Sequence, residues 1–280
     1  MENINKIKDS NKTIGYWAAQ EQYSMQDLLD FVIEAEKCGF TTTMTSDHFH
    51  PWWHTNGYGN FTWIWMAVAA NNTKKMEFVT GVTSSIYRYH PAIIAQAFAS
   101  LNSLFPGRIG LGIGTGEALN EVPLGYDWPS PKFRLTKTID SVKVIRKLWS
   151  NANPNINANS QKKICDKNND FEMKSTDSNA DTNYTLSKET GNNNGFVNYK
   201  GDYFLIREAK LYTPPSSRIP LYMAAIGSKS LKAAAEYSDG LVTFLNPKET
   251  KEIKLLERSG SCYAKSGTAH PINTRASGSR

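Results

Sequence analysis

Short apolar segments alternate with longer segments of helical periodicity along most of this sequence. The first unit is TIGYWAA, followed after Ser24 by MQDLLDFVIEAEKCGF, whose apolar residues recur every three or four positions up to Gly39. Three more units follow before residue 150, and PLYMAAIG and DGLVTFL add two further strands after residue 219. Because strands that are each followed by a helix form parallel sheets, the pattern predicts an α/β fold with six such strands.

Two architectures fit this alternation, an open doubly wound sheet and a closed (β/α)8 barrel. Both place ligands at the carboxyl ends of the strands. At 280 residues the chain is long enough for one large domain, which we assign to residues 1–280. Residues 151–195 are rich in Asn, Ser, Asp and Lys and are interpreted as a polar insertion within that domain. Residues 259–280 form an atypical tail, so the last strands of an eight-stranded barrel are missing or atypical.

Composition excludes several functions. No apolar run reaches the roughly 18 residues of a membrane span and no secretory leader is evident, so we expect a cytoplasmic protein without a membrane partner. The net charge is +6, but the basic residues are scattered, which argues against nucleic acid and favours a small anionic ligand. The three cysteines, Cys38, Cys165 and Cys262, have no spacing typical of zinc sites or disulfide frameworks.

Residues 46–54, SDHFHPWWH, concentrate one acid, three imidazoles and two indoles at the end of the second predicted strand. His48 can exchange protons near neutral pH, Asp47 can orient a partner or a ligand, and an indole offers a flat wall for a planar ring. A buried polar loop with surface aromatics is the structural alternative. A metal site at His48 and His50 is a weaker alternative, because no carboxylate-supported histidine follows a later strand, so we assign no metal.

Residues 110–121, GLGIGTGEALNE, join a glycine-rich strand end to a helix. Glycines let the backbone approach a ligand closely, but a dinucleotide fingerprint belongs on the first strand of its unit and needs a later acidic residue that is absent here. Glu117 is predicted to face the same strand-end surface as His48, as paired proton donors and acceptors do. It could also serve only to stabilise a helix N-terminus.

The segment TGVTSSIYRYHP ends the third strand, where Gly81 and Val82 lie in position to pass beneath a ligand. Arg88 in this segment could pair with an anion or remain solvated in a loop, and the sequence does not decide between these roles.

Four segments together resemble the coenzyme F420-dependent glucose-6-phosphate dehydrogenase family of the luciferase-like superfamily. They are SDHFHPW, RYHPAIIAQAFASL, PGRIGLGIGTGEALNE and AAIGSKSLKAAAEYSDG, and the similarity covers Ile14 to Trp149 and Tyr199 to Leu245. The resemblance implies a (β/α)8 TIM barrel of the bacterial luciferase type, coenzyme F420 as cofactor, and a homodimer. A deazaflavin transfers hydride and does not activate oxygen as flavins do, so a dehydrogenase or reductase follows.

The resemblance also implies residue roles. His48 is similar to the base that removes the substrate hydroxyl proton, Glu117 to the acid that protonates the reduced ring, Trp52 to the indole beside the reacting carbon, and Glu21 to a further active-site carboxylate. Gly81 and Val82 match the position of a nonproline cis peptide under the ring. The positions implied to contact the cofactor are Asp47, Gly81, Val82, Thr115, Gly116, Asn120, Ala225 and Gly227.

The expected reaction is hydride transfer between a hydroxyl-bearing substrate and C5 of the deazaflavin. A sugar phosphate or an alcohol would serve, with glucose 6-phosphate implied by the family alone. Lys248, in TFLNPK, is displaced by about one residue from the family's phosphate-binding lysine. Three alternatives stay open: a reductase of methylenetetrahydromethanopterin type, a non-catalytic deazaflavin-binding protein, and an FMN-dependent luciferase-like monooxygenase.

Overall fold

A computed structural model describes residues 13–154 and 195–243 of the chain, which form a parallel sheet covered by helices. The first strands are β1 (Tyr16–Ala18), β2 (Thr42–Thr45), β3 (Glu77–Thr80), β4 (Thr83–Ser84) and β5 (Ile109–Gly114). The later ones are β6 (Val197–Lys200), β7 (Leu205–Ala209), β8 (Leu221–Ala224) and β9 (Gly240–Val242).

The main sheet has the order β1-β2-β3-β5-β8-β9, and every neighbouring pair is parallel. The short strand β4 continues beyond β3 and pairs with the end of β5. These six strands are the ones that the sequence predicts. Among the described residues the outer strands β1 and β9 do not pair with each other, so this part of the chain shows barrel-type strand order without closure.

The helices are α1 (Met25–Lys37), α2 (Thr62–Asn72), α3 (Pro91–Leu104), α4 (Ala118–Glu121), α5 (Pro131–Ala152) and α6 (Ser228–Tyr237), with one 3-10 turn at Val122–Leu124. Local chemistry sets their ends. The Ser24 hydroxyl accepts a hydrogen bond from the Asp27 N–H at 3.1 Å, as an N-cap does, and Gly39 follows α1 with a φ of 95°. Pro91 opens α3, where its missing N–H has no cost.

The core lies between the sheet and these helices. All six residues of β5 are buried, which is expected of a central parallel strand covered on both faces. On α1 the buried positions are Leu28, Val32 and Ala35, which repeat at the predicted helical spacing. Trp65 and Phe98 are the bulkiest fully buried side chains that α2 and α3 contribute. The packed elements therefore fix the strand ends that carry the candidate site.

An antiparallel hairpin of β6 and β7 packs on α5. The Asp140 carboxylate on α5 accepts backbone N–H groups of Tyr203 and Phe204 at 2.9 and 3.1 Å, and also the hydroxyl of Tyr199. Beside it, the Asn151 amide donates to the carbonyl of Phe196 at 3.3 Å. The end of α5 and the start of the hairpin are therefore neighbours.

Several sequence predictions lie outside the described residues. They include Lys248, the tail at 259–280, and all but residues 151–154 and 195 of the polar insertion. Within the described ranges, no helix is both long and apolar enough to cross a membrane.

Candidate active site

His48 and Glu117 meet at the carboxyl ends of the parallel strands. His48 follows β2 and Glu117 follows β5, two strands that both pair with β3. The His48 Nε2 lies 3.7 Å from Glu117 Oε2, and the two side chains are 11% and 46% exposed. A titratable imidazole thus lies beside a solvent-accessible carboxylate, an arrangement that can exchange a proton with a bound substrate.

Asn120 connects the two segments that carry this pair. Its side-chain Oδ1 accepts the backbone N–H groups of Phe49 at 2.7 Å and His50 at 3.2 Å. Its Nδ2 lies 3.4 Å from Glu117 Oε2 and 3.5 Å from His48 Nδ1, near the outer limit for a hydrogen bond. A residue implied to contact the cofactor therefore also joins the loop after β2 to helix α4.

Trp52 forms one side of the cluster. Its ring centroid lies 5.4 Å from that of His48 with a tilt of 52°, and the residue is 55% exposed. An exposed indole beside a proton-exchanging imidazole provides an apolar surface on which a planar ligand can stack.

Glu21 is buried at the end of β1 and points toward the base of the loop that carries His48. The hydroxyl of Ser46 donates a hydrogen bond to Glu21 Oε2, and the main-chain carbonyl of Glu21 accepts the N–H of Tyr58 at 3.0 Å. Glu21 therefore contacts the residues at both ends of the loop. Its described hydrogen bonds serve to hold that loop in place.

The glycines of β5 allow the backbone to approach the segment after β3. The peptide between Gly81 and Val82 is cis, as the family resemblance implies. A Cβ on Gly112 would lie 1.9 Å from the Thr80 carbonyl oxygen, and one on Gly114 would lie 2.4 Å from Val82 Cγ2. Only glycine fits at these two places.

The other positions implied to line a cofactor sit at strand ends. Thr115 and Gly116 are partly exposed immediately after β5, and Gly116 has a φ of 72°. After β8, Ala225 is buried and its N–H donates to the Val242 carbonyl at 3.0 Å. Gly227 is exposed, and a Cβ there would meet no atom within 4 Å. These positions border one surface at the carboxyl ends of β5 and β8.

Asp47 lies much deeper than a typical ligand-contacting carboxylate, with a side chain that is only 2% exposed. Its Oδ2 accepts the Thr83 hydroxyl at 2.7 Å, and its Oδ1 lies 3.1 Å from the Arg88 guanidinium. Burial raises the pKa of Asp47 above its usual value, and Arg88 and Thr83 act in the opposite direction.

Two charged residues of this region had no assigned role in the sequence. Arg88 is buried against Asp47 and is not a solvated loop residue. Glu121, in the predicted helix ALNE, is fully buried and accepts the Ser84 hydroxyl at 2.5 Å and the Arg88 N–H at 3.2 Å. An acidic residue four positions after Glu117 was the available signal for the second of these.

The remaining histidines of the loop stack within it. The His50 ring lies parallel to that of Phe49 at 5.1 Å, and His54 meets His50 edge to face at 5.8 Å. In the described part of the chain, no group of three or more His, Cys, Asp or Glu residues is arranged to hold a metal ion.

The described fold and site define an α/β protein whose polar cluster lies at the carboxyl ends of a parallel sheet. The chain belongs to the luciferase-like monooxygenase family, whose model matches residues 12–268. This confirms the superfamily and the barrel type expected from the sequence.

Curated relatives narrow the similarity within that family. The chain is 34% identical to the F420-dependent glucose-6-phosphate dehydrogenase of Amycolatopsis mediterranei (strain U-32) over 82% of its own length and 56% of the relative. Identity to the enzyme of the same name from Segniliparus rotundus is 33% over the same shares. The chain thus spans about half the length of these relatives.

Solved structures agree with this placement. An F420-dependent secondary alcohol dehydrogenase in complex with an F420-acetone adduct is 37% identical, with a TM-score of 0.70 over 88% of this chain and 63% of that one. The coenzyme F420 dependent tetrahydromethanopterin reductase from Methanopyrus kandleri is 19% identical, with a TM-score of 0.58 over 84% and 56%. At that identity the reductase supports the fold alone.

Proposed function

We propose that this chain is an F420-dependent oxidoreductase that transfers hydride between a hydroxyl-bearing substrate and C5 of the deazaflavin. The observation that carries the proposal is the 3.7 Å approach of His48 Nε2 and Glu117 Oε2 at the strand ends. The names of the relatives and of the 37% identical structure support the choice of cofactor.

The described residues fit a deazaflavin. A planar ring needs an apolar wall and polar groups at its edge, and Trp52 offers an exposed indole while Glu117 and His48 offer the polar groups. Gly81 and Val82 are partly exposed after β3, and a Cβ on Gly227 would meet no atom within 4 Å. When bound, a deazaflavin supplies two-electron hydride chemistry without oxygen activation.

The chain's own residues handle the protons of the reaction. When the alcohol carbon loses hydride, its hydroxyl loses a proton, which His48 takes up as the base. Glu117, as a carboxylic acid, would supply the proton that a reduced deazaflavin takes up. Trp52 would offer an apolar wall beside the reacting carbon, and Glu21 holds the loop of His48 through Ser46. Asp47, Thr115, Gly116, Asn120 and Ala225 shape the remainder of the cofactor site.

The substrate is a small molecule, either a sugar phosphate or a secondary alcohol, by analogy with the two kinds of relatives. Lys248 remains the candidate phosphate ligand and lies outside the described residues. Glucose 6-phosphate and isopropanol are therefore the first substrates to compare.

The test mixes the purified chain separately with oxidised F420, FMN and NADP and follows visible absorbance with each substrate. We expect bleaching of F420 alone, without oxygen consumption. His48→Ala is expected to abolish turnover while F420 still binds, and Glu117→Gln to slow ring protonation. Full activity of His48→Ala would remove its role as the base.

Other results would identify the alternatives. Oxygen consumption with FMN would indicate a monooxygenase, and hydride transfer to a tetrahydromethanopterin substrate would indicate the one-carbon reductase. Tight F420 binding without reduction by any alcohol would indicate a cofactor carrier. Each outcome contradicts the proposed dehydrogenase.

We further propose a cytoplasmic homodimer that binds neither nucleic acid nor membrane. Helix α2 exposes Ile64 and Val68 although its other face is buried, and Phe31 on the adjoining α1 is exposed as well. Exposed apolar residues on two packed helices favour burial against a second copy. Light scattering of wild type and Ile64→Glu tests this: a monomeric wild type would contradict the dimer.

A further inference from the structure

Arg88 is almost completely buried against the residue that precedes His48. Its side chain is 7% exposed. The same nitrogen, Nη2, donates to the Asp47 main-chain carbonyl at 2.7 Å and lies 3.1 Å from Asp47 Oδ1. One guanidinium therefore restrains both the backbone and the side chain of residue 47, directly beside the candidate base.

The Asp47 carboxylate is enclosed by protein donors. Besides Arg88, the hydroxyl of Thr83 donates to it at 2.7 Å. With 2% of the side chain exposed, very little of this carboxylate is left for contact with a ligand. Its described partners are those of a buried anchor.

Arg88 is itself fixed from two sides. Its guanidinium carbon lies 4.7 Å from the centroid of the Tyr89 ring, and that ring lies 4.4 Å from Trp63. Its backbone N–H donates to the buried carboxylate of Glu121, on the helix that follows Glu117. The arginine therefore connects the segment before His48 with the segment after Glu117.

We propose that Arg88 is a positioning residue for the proposed hydride transfer, acting through Asp47 to fix the direction in which the His48 side chain leaves the end of β2. Asp47 is the second half of the same device. The expected effect on turnover rests on the proposed function. The expected position of the His48 ring does not depend on it. A buried pair that served stability only would leave that ring where it is.

The test compares Arg88→Gln, Arg88→Lys, Asp47→Asn and the Arg88→Gln/Asp47→Asn double variant. We expect kcat to fall by at least 30-fold in Arg88→Gln and Asp47→Asn, while the fluorescence-measured Kd for F420 changes less than threefold in Arg88→Gln. The double variant should be no slower than the slower single variant, because both residues serve one function. Arg88→Lys keeps the charge but not the planar fork, so it should recover only part of kcat.

A matched control is Arg218→Gln, which removes a guanidinium from Asp239 at the opposite ends of the strands. It should lower the midpoint of thermal unfolding without lowering kcat. If Arg88→Gln fails to fold, Arg88→Lys carries the comparison. The proposal is overturned if Arg88→Gln lowers the midpoint of thermal unfolding as Arg218→Gln does but leaves kcat unchanged.

A second readout needs no turnover. The chain has five histidines, so the ring C–H signals in an NMR spectrum are few, and His48→Gln assigns the one from His48. We expect that signal to shift in Arg88→Gln and Asp47→Asn and to stay in place in Arg218→Gln. An unmoved His48 signal would overturn the positioning role. A shifted signal in a protein that reduces no cofactor would contradict the proposed function and leave the positioning role intact.

Discussion

Replacing Asn120 with Leu should loosen the loop that carries His48 while keeping a side chain of similar size. The change removes Oδ1, the acceptor of the Phe49 and His50 N–H groups at 2.7 and 3.2 Å. A hydrogen bond of this kind contributes about 1 kcal/mol, so losing both costs about 2 kcal/mol. Since about 1.4 kcal/mol corresponds to a factor of ten, the population of the open loop should rise roughly 30-fold.

Hydrogen exchange measures this directly. The Phe49 and His50 amides should lose roughly 30-fold of their protection, and kcat for hydride transfer should fall in parallel. Asn102→Leu is the matched control. Asn102 is a buried residue of α3, away from the strand-end cluster, and its side-chain Oδ1 accepts the Ser217 N–H at 2.8 Å. Unchanged protection of both amides in Asn120→Leu, or equal loss of kcat in the two variants, would refute the reasoning.

Three further changes test other parts of the structure. Gly114→Ala places a Cβ 2.4 Å from Val82 Cγ2, so titration with F420 should show weaker binding. Adding Val82→Ala to the same chain should recover part of the lost affinity, and no recovery would contradict the steric cause. Asp140→Asn should lower the free energy of unfolding in urea by about 1–3 kcal/mol, because it weakens a buried acceptor of three donors, whereas the exposed Asp202→Asn should have little effect. Burial of Glu36 raises its pKa. The hydrogen bonds that its carboxylate accepts from three backbone N–H groups lower the pKa by more, so the net pKa is below its usual value. The stabilisation from Glu36 is therefore present above the unfolded pKa of 4.5 and is lost as pH falls through the folded pKa. In Glu36→Gln the free energy of unfolding should decrease less steeply with falling pH, and an unchanged pH dependence would contradict this.

The juxtaposition of His48 and Glu117 could be predicted because periodicity along the chain places both after parallel strands. Strand ends of one sheet meet at one edge whatever the loop details, so the order of strands and helices was sufficient. The cis peptide at Gly81 and Val82 followed only from the family resemblance, since no local pattern in TGVTSS specifies it.

The roles of Arg88 and Glu121 could not be predicted from the sequence. Whether an arginine in a loop is solvated or buried depends on which carboxylates the fold brings within reach, and Asp47 is 41 positions away in the chain. Glu121 likewise bonds residues of another strand end. Such contacts are set by tertiary packing, and a single sequence carries no periodic signal for them.

The bond from the Asn151 amide to the Phe196 carbonyl has a consequence for how this protein can change in length. The chain leaves α5 and enters the β6–β7 hairpin at two points that already touch, so the segment between them has no span to bridge. Loop-closure entropy grows only slowly with length, and each doubling costs about 0.6 kcal/mol. A short glycine-serine linker, or a whole foreign domain, placed between these two points would therefore meet little entropic penalty for closure. The same place offers a site for attaching a fluorescent reporter while the strand-end cluster remains intact.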